Sequence, residues 1–270
     1  MERHAPSPGS PGSESTFENI PEDLERGMHE YGREFPPHRD ENSLPILRPQ
    51  DSQAEQAARI SSAIWQFLAN DDLTVTSPLQ DVRRILHINC GTGTWCTLAS
   101  EKYPNAKVRG WDTITSWKRK APQMVSFYVG DFKEAFESCE RWDIILLSDL
   151  LGTVQDWKEI YRSCYRNLNS GGILIHRELE PYIHPLDSLP PTISQFNTFL
   201  RQAAESAGTP LDIAKHMQEQ MKGQNFSVRA NIDPKHRIPL GTWDHRRQYV
   251  MLGELSLARI HLDLEGLCLR

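Results

Sequence analysis
The segment Ile85–Thr94, I-L-H-I-N-C-G-T-G-T, runs from a short apolar strand pattern into a turn with Gly91 and Gly93, then straight into a helical pattern. Glycines at such a turn let the backbone approach a ligand closely, and the first N–H groups of the following helix lack partners of their own. About 20 residues on, Asp112 closes the next strand pattern, where a carboxylate can accept both hydroxyls of a ribose lying across the strand ends. Asp131 closes the third strand pattern, where an adenine amino group can donate to it. Asn89, Gly91, Gly93, Asp112 and Asp131 therefore predict a nucleoside-binding site. The plainer alternative is a strand–helix turn with aspartates that cap helices. A second group follows the fifth strand pattern. His176, Glu178 and Glu180 share one face of a strand, and His176 or Glu178 is the candidate general base where an acceptor must lose a proton. A solvated strand end is the competing reading. His176 and His184 find no third ligand at metal-binding spacing, so no metal is expected. Trp111, Trp117 and Tyr128 stand where they can stack on adenine or fill the core.

The elements that must position these residues are legible as alternating patterns. Ser52–Leu68 carries apolar residues at helical spacing (Ala57, Ile60, Ile64, Phe67, Leu68). Strands are predicted at Arg84–Asn89, Lys107–Asp112, Val125–Asp131, Trp142–Asp149 and Ile173–Leu179. The W-D-I-I-L-L-S-D run is apolar enough to be a central strand covered on both faces. Helices are predicted at Trp95–Tyr103, from about Val154 to Leu168 with an Asn169–Gly172 capping turn, at Ile193–Ala207 and at Leu211–Lys222. A sixth strand is expected over Phe226–Ile232. The last segment fits a helix through Met251, Leu255, Ala258 and Leu262, although Ile260, Leu262 and Leu264 also alternate as in a strand. Strands alternating with helices of this length predict an α/β fold, doubly wound around a mostly parallel Rossmann-like sheet. The expected organisation is a disordered, Pro/Gly/Ser-rich tail at 1–20, a lead-in and helix at 21–80, the binding core at 81–180, and a helical cap, sixth strand and C-terminal segment at 181–270.

Composition narrows the class. The 270 residues carry 30 Lys and Arg against 36 Asp and Glu, a formal charge of −6, so bulk electrostatics does not favour direct nucleic-acid binding. Lys118-Arg119-Lys120 is a short basic run suited to nuclear import or to a solvated face. No apolar run is long enough for a membrane span, and no apolar leader opens the chain. Cys90, Cys96, Cys139, Cys164 and Cys268 include no C-x-x-C pair, which points to a reducing compartment, nucleus or cytoplasm.

A dinucleotide turn requires a third glycine where this chain has Cys96, which counts against a nicotinamide cofactor. A C-G-T-G turn with acids ending the second and third strands is what S-adenosylmethionine enzymes present. H-I-N-C-G-T-G-T-W, K-Y-P-N-A-K-V-R-G-W-D, the G-D ending the third strand, W-D-I-I-L-L and Y-R-N-L-N-S-G-G resemble class I S-adenosylmethionine-dependent methyltransferases. E-Y-G-R-E-F (30–35) and R-I-P-L-G-T-W (237–243) narrow the likeness to the LaeA-like methyltransferases of filamentous fungi. The resemblance covers roughly residues 28–267. It implies S-adenosyl-L-methionine as cofactor, velvet-family proteins as partners, and a role in regulating secondary metabolism and development. The methyl acceptor stays open. A non-catalytic regulatory subunit and a tailoring enzyme for small metabolites are the alternatives.

The family pattern has an Asp and a Gly where this chain has His87 and Asn89, and often a His-x-Arg pair where it has Leu146 and Ser148. Asn tolerates positive φ, so the turn survives. Losing the negative charge at His87 forfeits roughly 3 kcal/mol toward a sulfonium ~5–6 Å away at an effective dielectric of about 20, before screening. The family's closing strand has no clear counterpart. Glu178 and Glu180 match acidic positions of the family, whereas His176 does not.

Overall fold
The computed structural model describes residues 28–30, 32–35, 49–69, 79–113, 121–137, 140–184, 188–229 and 238–268. The tail expected at 1–20, Trp117, the basic run Lys118–Lys120 and Cys139 lie outside the described residues.

A small antiparallel hairpin, β1 (Met28–Glu30) and β2 (Arg33–Phe35), precedes α1 (Ser52–Leu68). Ala57, Ser61, Ile64 and Trp65 form the buried stripe of α1, at the spacing of one helical face. Asp51 opens it: Oδ1 accepts the Ala54 N–H at 2.9 Å, while Oδ2 accepts from Arg33 Nε at 2.6 Å. One carboxylate thus caps the helix and anchors the hairpin. Burial pushes the Asp51 carboxyl upward, but the Arg33 guanidinium and the amides of Ala54 and Glu34 outweigh it and hold the group below its usual range.

The main sheet has five parallel strands in the order β5-β4-β3-β6-β7. They are β3 (Arg84–Ile88), β4 (Lys107–Asp112), β5 (Val125–Val129), β6 (Trp142–Ser148) and β7 (Leu168–Arg177). Parallel neighbours require crossovers, and helices supply several of them: α2 (Thr94–Lys102) after β3, α3 (Glu134–Glu137) after β5, and α4 (Trp157–Asn167) after β6. Further on come α5 (Pro191–Ser206), α6 (Ala214–Lys222) and α7 (Arg247–Cys268). One sheet face packs Ile85, Val108, Val125, Ile144 and Leu146 against Trp95, Cys96 and Ala99 of α2. The other packs Leu86, Ile88, Ile145 and Leu147 against Trp157, Ile160, Tyr161 and Cys164 of α4, with Leu200 and Met221 behind. Ile144 to Leu147 are fully buried, as a strand covered on both faces requires. The doubly wound, parallel, Rossmann-like architecture read from the sequence is the one formed. Strand order reverses at β3, so a crevice opens over the carboxyl ends of β3 and β6.

Three local expectations need correction. Phe226–Arg229 is irregular and forms no strand; 230–232 lie outside the described residues. Asn169–Gly172 is no helix-capping turn but an irregularity inside β7. Trp142 pairs with Leu168 and Ile144 with Ile173, so four residues stand opposite Asp143. The Asp143 carboxylate absorbs the disruption: Oδ1 accepts from Asn169 Nδ2 at 2.6 Å, and Oδ2 accepts the N–H groups of Arg83 at 2.7 Å and Arg84 at 2.9 Å. Finally, α4 starts at Trp157, where Asp156 caps it through Glu159 N–H, and not at Val154. The segment left between helix and strand is the long helix α7, which packs along α1. Among the described residues no helix is long and apolar enough to cross a membrane, and no group of three His, Cys, Asp or Glu is placed to hold a metal ion.

Candidate active site
The β3–α2 turn is built from left-handed residues: Asn89 has φ 59°, Gly91 55° and Gly93 73°. Asn89 and Cys90 donate their N–H groups to the Trp111 carbonyl at 2.7 and 3.2 Å, which ties the turn to β4. The Asn89 amide reaches the other way, with Nδ2 donating to the carbonyls of Ser148 at 2.8 Å and Asp149 at 3.0 Å. Asn89 thereby stitches the ends of β4, β3 and β6 together. Asp112 Oδ2 accepts the Gly91 N–H at 2.7 Å, so the carboxylate read as the ribose acceptor is held directly against the turn. Gly93 is needed for packing as well as conformation: a Cβ there would lie 2.3 Å from Cζ of Phe127.

Beneath this turn His87 is buried. Its Nε2 lies 2.7 Å from Ser148 Oγ, Nδ1 lies 3.6 Å from Cys96 Sγ, and the ring meets Trp95 edge-on. Burial, and then the Arg177 charge, hold the imidazole well below its ordinary value. His87 is therefore a neutral, partnered core residue that adds no charge to the crevice.

Asp149, the residue after β6, has φ 53°, a conformation that non-glycine residues adopt at a cost. Its Oδ2 accepts from Trp65 Nε1 of α1 at 3.1 Å, and its Oδ1 lies 3.9 Å from Arg259 Nη2 of α7. Strained residues thus sit at the ends of both strands that flank the switch in order. From the sequence alone Asp149 reads only as a strand end; an acid closing the most apolar strand is the signal that could single it out.

His176 and Glu178 come together on the opposite face of β7. Glu178 Oε1 accepts the Leu150 N–H at 2.9 Å and Oε2 the Leu151 N–H at 3.2 Å. His176 Nε2 lies 3.0 Å from Glu178 Oε1 and Nδ1 2.9 Å from Tyr161 Oη. A carboxylate only accepts, so Nε2 carries the proton toward Glu178 and Nδ1 takes the Tyr161 hydroxyl. Burial, then the Glu178 charge, keeps that phenol protonated. Both side chains are sealed, at 0% and 3% exposure, and both are spent on holding the loop that carries Asp149. Asp131 stands apart, exposed at the end of β5, with Oδ1 accepting the Lys133 N–H at 3.0 Å. Trp111 and Tyr128 stack on each other, centroids 5.2 Å apart. The structure thus brings Asn89, Gly91, Gly93 and Asp112 together, places Asp131 at the sheet edge and puts His176 and Glu178 on the far face.

Comparison with known proteins gives the family. Residues 54–231 match a family model described as a methyltransferase domain. The secondary metabolism regulator LAE1 of Cochliobolus heterostrophus is 31% identical over 59% of this chain and 53% of its own length. The methyltransferase pytC of Aspergillus terreus is 26% identical over 86% of this chain and 71% of its own. Among solved structures, the phosphoethanolamine N-methyltransferase 2 of Haemonchus contortus, in complex with S-adenosyl-L-methionine, is 19% identical over 72% of this chain and 46% of that one, with a TM-score of 0.48. The chain spans about half the length of the first of these relatives. With residues 54–231 of its 270 inside the family model, and a parallel sheet whose order turns at the glycine-bearing strand, the chain belongs to the methyltransferase domain family.

Proposed function
We propose that this protein binds S-adenosylmethionine over the ends of β3 and β6, transfers its methyl group, and acts as a LaeA-like regulator of fungal secondary metabolism. The observation that carries the reading is the left-handed Asn89–Gly93 turn, bonded to Asp112 at the point where strand order reverses. The donor set fits the cofactor: Asp112 for the ribose, Gly91 and Gly93 for a low backbone beneath it, the opening N–H groups of α2 beside it, and Asp131 on the adenine side. When bound, the cofactor supplies an electrophilic methyl group on a sulfonium. In-line displacement from such a centre depends chiefly on alignment and exclusion of water. Asp149 supports the fit further. His87 lacks the negative charge that the family pattern carries, and the Asp149 carboxylate brings one to the neighbouring strand end. Glu178 and His176 enter as positioning residues, because they fix the loop from which Asp149 projects.

Calorimetric titration with S-adenosylmethionine tests the reading. Micromolar binding that Asp112→Ala abolishes is the expected result. No heat at millimolar ligand, with the protein folded by circular dichroism, overturns it in favour of a non-catalytic subunit. Velvet-family proteins as partners, and a nuclear or cytoplasmic location, follow from the LaeA-like character; co-purification with a velvet-family protein is the check. A small-molecule acceptor is the second reading, compatible with the likeness to the methyltransferase pytC across 86% of this chain. Incubation of cell extract with methyl-labelled cofactor separates the two readings by whether label enters protein or small metabolites.

A further inference from the structure
Arg177 closes β7 directly beside Ser148 of β6, and its carbonyl accepts the Asp149 N–H at 3.3 Å. Its side chain lies on the α1 face of the sheet, with the guanidinium 5.1 Å above the ring of Trp65, the residue whose Nε1 bonds Asp149. Nε is buried without a hydrogen-bond partner. Among the described residues the guanidinium makes no hydrogen bond or ion pair, although Asp149 and Glu178 are close enough to act on its charge. Burial pulls the group down to about 10. Of the neighbouring carboxylates, Glu178 is committed to Leu150, Leu151 and His176, while Asp149 accepts from Trp65 through Oδ2 and has Arg259 3.9 Å from Oδ1. A guanidinium whose Nε is buried without an acceptor costs stability, and its planar fork matches the geometry of a carboxylate.

We propose that Arg177 anchors a carboxylate brought into the crevice, from the amino-acid end of the cofactor or from an acidic methyl acceptor. This deepens the S-adenosylmethionine reading and rests on it for the identity of the crevice. A carboxylate suits the site better than a phosphate, whose second charge would be driven toward Asp149 and Glu178. Trp65 supplies a flat wall on which the guanidinium is held in orientation. The inference makes Arg177 a specificity residue, separate from the turn that holds the nucleoside.

The experiment compares wild type, Arg177→Met and Arg177→Lys in two titrations. The first measures affinity for S-adenosylmethionine and for its decarboxylated analogue. The second measures the thermal shift caused by benzoate, with neutral benzamide as control and no cofactor present. If the cofactor supplies the carboxylate, Arg177→Met weakens S-adenosylmethionine roughly 10- to 100-fold and leaves the decarboxylated analogue untouched. If the acceptor supplies it, cofactor affinity is unchanged and the benzoate shift disappears, while benzamide never gives one. Arg177→Lys keeps the charge, loses the fork and falls between the two, which preserves the test should the Met variant fold poorly. A benzoate shift that needs Arg177, in a protein that binds no S-adenosylmethionine, upholds the anchor and overturns the cofactor reading. Variants that match wild type in both titrations overturn the anchor itself.

Discussion
His176 and Arg177 are neighbours on one strand, yet they point to opposite faces of the sheet and meet opposite environments. His176 is sealed, with each ring nitrogen partnered, inside a chain that runs from Tyr161 to Glu178 and on to the loop amides of Leu150 and Leu151. Arg177 lies over Trp65 with a buried Nε that nothing accepts from. The chain through His176 is closed at both ring nitrogens, and the Arg177 guanidinium is not closed at Nε. Polar groups that complete one another serve the fold, whereas polar groups held ready and incomplete await something from outside. The lesson reverses the weight that residue type alone suggests, because a His–Glu pair looks more like chemistry than a lone arginine does.

The comparison breaks most visibly at Glu178. Replacing it with Ala strips acceptors from Leu150, Leu151 and His176 together, and the expected loss is about 3–5 kcal/mol in urea unfolding. A Glu178→Gln variant keeps one acceptor oxygen and recovers part of that loss. Gly93→Ala tests the opposite side. The new Cβ meets Phe127 in a left-handed backbone, for an expected cost of about 3 kcal/mol, with partial rescue by Phe127→Leu. A smaller effect concerns acidity. His87 in the folded protein titrates well below 6.5, so between those two values the unfolded chain binds a proton that the folded chain refuses. Stability from this source is complete above pH about 6.5 and declines as pH falls. His87→Gln should flatten that slope in denaturation midpoints measured from pH 5 to 8. The smallest expected change in stability is at Asp149→Gly, where relief of the positive φ offsets the lost bond from Trp65 to within about 1 kcal/mol. Cofactor affinity in that variant should nevertheless fall, which calorimetry reads directly.

Much of the fold was legible because it rests on local pattern. Ser52–Leu68 and Lys107–Asp112 form with the bounds that their periodicity and apolar content predict, and the other four strands differ mainly at their ends. The turn was legible because φ above zero selects Gly and Asn at 89, 91 and 93. Phe226–Arg229 misled because alternation alone does not supply a neighbour to pair with. Asn169–Gly172 misled because a glycine pair reads as a terminator, and the side chain that lets it bulge within a strand, Asp143, lies 26 residues away. The roles of Asp149, Arg177 and Trp65 were hidden for the same reason. Each depends on α1, β6, β7 and α7 meeting at one place, and no window of sequence contains that meeting.

The pairing of α1 with α7 carries a consequence for how the protein is made. Gln53 of α1 donates to the Leu262 carbonyl of α7 at 3.0 Å, across 209 positions of sequence. A ribosome releases the glycine turn and the strands well before it releases α7. The sheet is therefore free to assemble while one wall beside Asp149 is still unsynthesised, and the closure between Gln53 and Leu262 waits for α7. Methyl-donor capture measured on stalled nascent chains should accordingly switch on late, once Arg259 and Leu262 have cleared the exit tunnel.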